Sequence, residues 1–112
     1  MNEPYATILD CLRSRSICTY LQSPDQLVVS RQRGPVLPSG SNSFWLSHQL
    51  GRWYLCTWAP NCYALPPESD LVGLCEEFLD VASCAQSEVP PRLVDRFQLT
   101  KLSHDEFDDI FI

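Results

Sequence analysis

The chain predicts an α+β two-layer sandwich: an N-terminal helix, an antiparallel four- to five-stranded meander, then two or three C-terminal helices. Three observations predict it. Apolar residues recur at helical spacing near both ends, period-two alternation runs through the middle, and the breaks between these stretches carry Pro, Gly, Asn or Ser. At 112 residues there is room for one hydrophobic core, so residues 1–112 are read as a single domain.

Within residues 4–14, Tyr5, Ile8, Leu9 and Leu12 fall at i, i+3, i+4 and i+7, the apolar stripe of a short amphipathic helix. Pro4 suits its first position. Residues 17–22 and 26–32 flank the turn chemistry of Ser23-Pro24-Asp25 and predict a hairpin. From Gly34 to Asn42 the chain must be a loop, because Pro35 and Pro38 have no N–H to give to a ladder.

Ser43 to Gln49 and Arg52 to Trp58 form the best-defined strand pair, joined by Leu50-Gly51, where glycine accepts the positive φ of a tight turn. That turn pairs Gln49 with Arg52, His48 with Trp53, Ser47 with Tyr54, Leu46 with Leu55 and Trp45 with Cys56. Side chains alternate between faces along a strand. One face therefore carries Phe44, Leu46, His48, Trp53 and Leu55, and the other Trp45, Ser47, Gln49, Arg52, Tyr54, Cys56 and Trp58. Ala59-Pro60-Asn61 breaks the run before a last short strand, Cys62 to Leu65.

Residues 67–84 read as the longest helix, with Leu71, Leu74, Cys75, Phe78, Leu79 and Ala82 in one stripe and Glu68 and Asp70 in the first turn. Arg92 to Phe97 predicts a short helix after Pro90-Pro91, and no element is assigned to Leu99–Leu102. Ser103-His104-Asp105-Glu106 fits the capping box S-x-x-E, and Leu102 and Phe107 occupy the positions of a hydrophobic staple. The helix it opens is about eight residues long, too short to persist in water unless it docks.

Net charge is −6, distributed unevenly. Residues 1–67 hold five basic and three acidic side chains, residues 68–112 three and eleven. So few cations exclude duplex nucleic acid as a partner. Apolar runs of a few residues are far below the ~20 that cross a bilayer, so no membrane association is expected. The start, Met1-Asn2-Glu3-Pro4-Tyr5, lacks the pattern of a secretory leader. The six cysteines include no C-x-x-C pair, and without a leader they read as reduced thiols in a cytoplasm.

No catalytic, metal or cofactor motif emerges. His48, Cys56 and Cys62 are near in sequence, but His48 and Cys56 point to opposite faces, and four convergent ligands are lacking. A cysteine nucleophile needs a base, and the histidines are His48, on the sheet, and His104, in an acidic helix. The acidic runs near residues 76–80 and 105–109 read as solvated helix faces.

The aromatic face is the candidate site. If all the helices lie on one side of the sheet, Trp45, Tyr54 and Trp58 share a face without cover, with Arg52 at the hairpin tip. Trp, Tyr and Arg are the side chains enriched at binding hot spots, and a bare aromatic patch of that size is unusual on a monomer. The expected function is a small non-enzymatic interaction module that binds a protein partner, or itself as a homodimer, through Trp45, Arg52, Tyr54 and Trp58. The alternative is a small-molecule binder or minor enzyme with a pocket between the sheet and the helices, where His48 and Cys75 would lie.

Overall fold

A computed structural model describes residues 5–30, 43–57, 61–81 and 88–111. Their order is α1 (Tyr5–Ser14), β1 (Cys18–Ser23), β2 (Gln26–Ser30), β3 (Ser43–Gln49), β4 (Arg52–Cys56), β5 (Cys62–Ala64), α2 (Leu71–Val81), α3 (Pro91–Phe97), β6 (Thr100–Lys101) and α4 (His104–Phe111). The strands make one sheet in sequence order, β1-β2-β3-β4-β5-β6, antiparallel throughout. This is the α+β meander that the sequence predicts, with one strand more. The addition is β6, which pairs Thr100 with Ala64 and Lys101 with Tyr63. The loop expected at 34–42 lies outside the described residues.

Register follows from the two-residue turn. β3 and β4 pair Gln49 with Arg52, His48 with Trp53, Ser47 with Tyr54, Leu46 with Leu55 and Trp45 with Cys56, as the sequence predicts. Leu50 and Gly51 both take positive φ, 53° and 77°. Glycine does so freely, whereas a leucine there crowds its Cβ against the carbonyl. Leu50 is also 83% exposed, so it gains little packing in return.

Rows of residues run straight across the ladder. On one face Leu21, Leu27, Leu46, Leu55 and Tyr63 stand in line. They pack with Phe44 and Val29 against Leu9 and Leu12 of α1 and Leu74, Cys75 and Phe78 of α2. Phe44 and Phe78 meet at 4.8 Å between ring centroids. Leu12, Leu27, Leu46, Leu55 and Leu74 are wholly sealed from solvent in this layer.

Helix α2 starts later than the predicted residue 67 because Asp70 caps it from outside. Its Oδ1 accepts the Gly73 N–H at 3.0 Å. Pro66 to Ser69 form a turn before it, closed by Ser69 N–H to Pro66 O. An aspartate at that position satisfies an orphan donor of the first turn. Gly73 leaves room for the capping carboxylate, which a Cβ would strike. The end expected at residue 84 lies beyond the described part.

Leu50→Asn should raise stability by about 0.5–1 kcal/mol, because asparagine tolerates the left-handed region. Urea unfolding measures it, as a higher midpoint at unchanged slope; an equal or lower midpoint refutes the strain assigned to Leu50.

Candidate functional site

The second face of the sheet carries its own row: Tyr20, Val28, Trp45, Cys56 and Cys62 are successive cross-strand neighbours from β1 to β5. Beside it, Ser47, Tyr54 and Ala64 form the next row. Trp45 and Tyr54 are therefore on one side, as alternation requires. The structure corrects the expectation that this side is bare. Trp45 is 6% exposed and Tyr54 3%.

The cover is α4. Phe107, Ile110 and Phe111 project from one side of this helix and pack, with Leu102 and Tyr20, against Val28, Trp45, Tyr54, Cys56, Cys62 and Ala64. The Phe111 ring stands edge-on to both Trp45 (5.6 Å, 83°) and Tyr54 (5.7 Å, 79°), the quadrupole-favoured arrangement. Phe107 lies against Phe111 at 5.0 Å. The helices therefore do not all lie on one side. α1 and α2 cover the first face and α4 the second.

The α4 cover is thin. No residue of α4 is buried, and Phe107, Ile110 and Phe111 keep part of their surface in water. Its root is well fixed. The predicted capping box is present: Glu106 N–H donates to Ser103 Oγ (3.2 Å) and Ser103 N–H to Glu106 Oε1 (2.9 Å). Leu102 N–H donates to Cys62 O at 2.8 Å, continuing the line of β6 along β5. The Ser103 backbone N–H, and next its hydroxyl, hold the Glu106 carboxyl below the ordinary glutamate value.

Arg52 sits at the rim, exposed, and a guanidinium N–H reaches Leu65 O at 3.3 Å. Trp58 lies outside the described residues.

Cys56 and Cys62 are joined by a disulfide. The expectation of reduced thiols is corrected for this pair: the register of β4 with β5 sets them directly opposite one another. The bond closes a loop of six residues' separation, worth about 2 kcal/mol in unfolded-state entropy. Cys11 is exposed, while Cys75 is sealed in the first core, where burial, then the carboxylates of Asp70 and Glu76, push its thiol far up. Such a thiol is inert as a nucleophile.

His48 lies near the turn end of the β3–β4 hairpin, half-buried and edge-on to Trp53 at 5.1 Å. Its backbone N–H donates to Tyr5 Oη at 2.7 Å. Among the described residues, two of the clefts that indent the surface bear on the candidate site. One of about 630 Å³ lies between Pro66–Asp70 and Arg96–Gln98. There Asp70 is engaged in capping and Arg96 in an ion pair with Glu77. The other, of about 390 Å³, lies at the root of α4 between Asn61, Cys62, Lys101, Leu102, His104 and Phe107. Neither is lined by His48 or Cys75. Among the described residues no group of three His, Cys, Asp or Glu side chains is placed to hold a metal ion, and no helix is long and apolar enough to cross a membrane.

No protein family, no curated protein and no solved structure matches the chain, so the candidate site rests on its geometry alone.

Because the folded-state pKa of Glu106 is lowered, the support it lends to the α4 root is present above the ordinary glutamate value and lost as pH falls through the lowered one. Acid titration should therefore expose Trp45 to acrylamide before the rest of the fold opens, and Glu106→Gln should flatten that step. If Trp45 stays shielded until global unfolding, the capping box does not hold α4 in place.

Proposed function

We propose that the protein is a small non-enzymatic interaction module whose second sheet face recognises an amphipathic helix, with α4 as the occupant carried in cis. The observation that carries this reading is the seating of Phe107, Ile110 and Phe111 on the Trp45–Tyr54 face by a helix that buries none of its residues completely. Anchors at i, i+3 and i+4 laid on an apolar surface are a recurring mode of peptide recognition.

Two features support displacement rather than permanent packing. α4 spans eight residues, below the length at which a helix persists in water by itself. Its anchors are half-buried, whereas the first face is closed over wholly buried leucines. A cis helix on a short tether competes at an effective concentration of order millimolar. A partner therefore has to present a longer apolar stripe than Phe107-Ile110-Phe111, and hot-spot residues of the face, Trp45 and Tyr54 with Arg52 at the rim, would meet it.

The partner is a protein presenting such a helix. A second copy exchanging α4 would make the same contacts and give a homodimer by swapping. No cofactor, duplex nucleic acid or membrane enters the reading, and we place the protein in the cytoplasm. A cytoplasmic disulfide is ordinarily transient and redox-linked, which gives the Cys56–Cys62 bond a role other than permanent stapling.

The pocket reading is less well supported. Cys75 is sealed within the first core, and His48 lies at the hairpin end with Tyr5 and Trp53 against it.

A labelled peptide of residues 102–111 tests the proposal. In a full-length Phe107→Ser/Phe111→Ser chain, α4 loses its anchors and the face opens. That chain should bind the peptide with Kd of roughly 10–1,000 µM, and the unaltered chain at least about tenfold more weakly. Absence of binding to the double variant at millimolar peptide, with the variant folded by far-UV circular dichroism, overturns the reading. Light scattering across concentrations separates a swapped dimer from a monomer that takes the peptide.

A further inference from the structure

The cleft at the root of α4 and the disulfide beside it form a second unit of chemistry. Cys56 and Cys62 face each other between two hydrogen-bonded steps of the ladder. Thr57 N–H donates to Asn61 O on one side, and Leu65 N–H donates to Trp53 O further along the other. The cysteines thus occupy a non-hydrogen-bonded pair, where opposed residues approach most closely; their Cα atoms are 4.1 Å apart. Two thiols at such a pair meet with no backbone rearrangement. The same hydrogen bonds hold β4 and β5 together whether or not the sulfur–sulfur bond is made.

Both cysteines are buried, but they differ in what borders them. Cys62, 2% exposed, lines the cleft of about 390 Å³ together with Lys101, His104, Phe107 and Asp108, whereas Cys56, in the same row as Trp45, is wholly buried and does not line it. The cleft walls also carry the Lys101 ammonium, bonded to Glu88 at 2.7 Å, and the His104 imidazole, 3.8 Å from the Asp108 carboxylate that lines the same cleft. The opening is large enough for a small molecule.

We propose that Cys62 is a thiol–disulfide exchange site for a small thiol, and that the adduct wedges α4 away from the sheet. The incoming thiolate sulfur bonds to Cys62 Sγ while the Cys62–Cys56 bond breaks. The incoming sulfur is oxidised and Cys56 Sγ is reduced, leaving as a thiolate that takes a proton from water. A second thiol, or Cys56 itself, reverses the adduct. The wedge follows from two contacts of the same residue set: Cys62 O holds Leu102 N–H, the last backbone tie before α4, and Phe107 forms the outer wall of the cleft. A group attached to Cys62 Sγ fills the space those residues border. The exchange chemistry stands by itself; its consequence for the face rests on α4 being a displaceable occupant.

The experiment uses reduced glutathione on the full chain, in a background that keeps Trp45 as its single tryptophan (Trp53→Phe, Trp58→Phe). Peptide mapping under non-denaturing exchange should place one glutathionyl group on Cys62, with Cys56 as a thiol. Acrylamide quenching of Trp45 should rise with the adduct. Two single variants, each treated with oxidised glutathione, check the asymmetry: Cys56→Ser should take the adduct at Cys62 at least about tenfold faster than Cys62→Ser takes it at Cys56. Equal rates, or labelling only when the protein unfolds, overturn the exchange site. An adduct on Cys62 that leaves Trp45 as shielded as before overturns the wedge while the peptide-binding result for the face is read independently.

Discussion

Everything in this fold depends on a sheet whose two faces are both apolar. Alternation puts Leu21, Leu27, Leu46, Leu55 and Tyr63 on one side and Tyr20, Val28, Trp45, Cys56 and Cys62 on the other. A sheet of this kind cannot leave either side in water without exposing a large apolar patch. Each side therefore recruits helices, and the chain supplies them unequally: α1 and α2 for the first, α4 for the second. The ends of the chain are committed by the pattern in its middle.

Much of this was legible in the sequence, and for identifiable reasons. The β3–β4 register could be read because Leu50-Gly51 is a turn of fixed length, and a fixed turn leaves no choice of pairing. The α4 root could be read because the capping box and staple are local, their partners lying within five residues. What was not legible was long-range. β6 is two residues in a segment with no period, and it exists because Leu99 is buried and Thr100–Lys101 complete the edge beside β5. Nothing within residues 98–102 signals a strand by itself.

The two cysteines illustrate the same divide. The break at Ala59-Pro60-Asn61 is legible in the sequence, but it is centred on residue 60 and would set Trp58 opposite Cys62, whereas the register places Cys56 there. A shift of one residue in that centre decides whether the two thiols meet, and no local signal fixes it. Likewise, placing all the helices on one side was a statement about typical arrangements, whereas the apolar stripe of α4 and the apolar second face each demanded a partner. Matching those two demands identifies the cover without any statistic.

The face and the helix depend on one another unequally. Asp105 and Glu106 suit the first turn of α4, where the dipole favours carboxylates, but Asp108 and Asp109 follow and no basic residue closes the last turn. As a free peptide the helix has an unfavourable C-terminal half and too few residues to nucleate. Its helicity comes from contact with Trp45 and Tyr54. The sheet, by contrast, is held by five ladders and by a first core that α4 does not touch. On the proposed reading, loss of the contact would melt the helix and spare the sheet. This asymmetry would let a short helix serve as an occupant: on leaving it would become an acidic, hydrated stretch of chain, and the aromatic face would keep its shape.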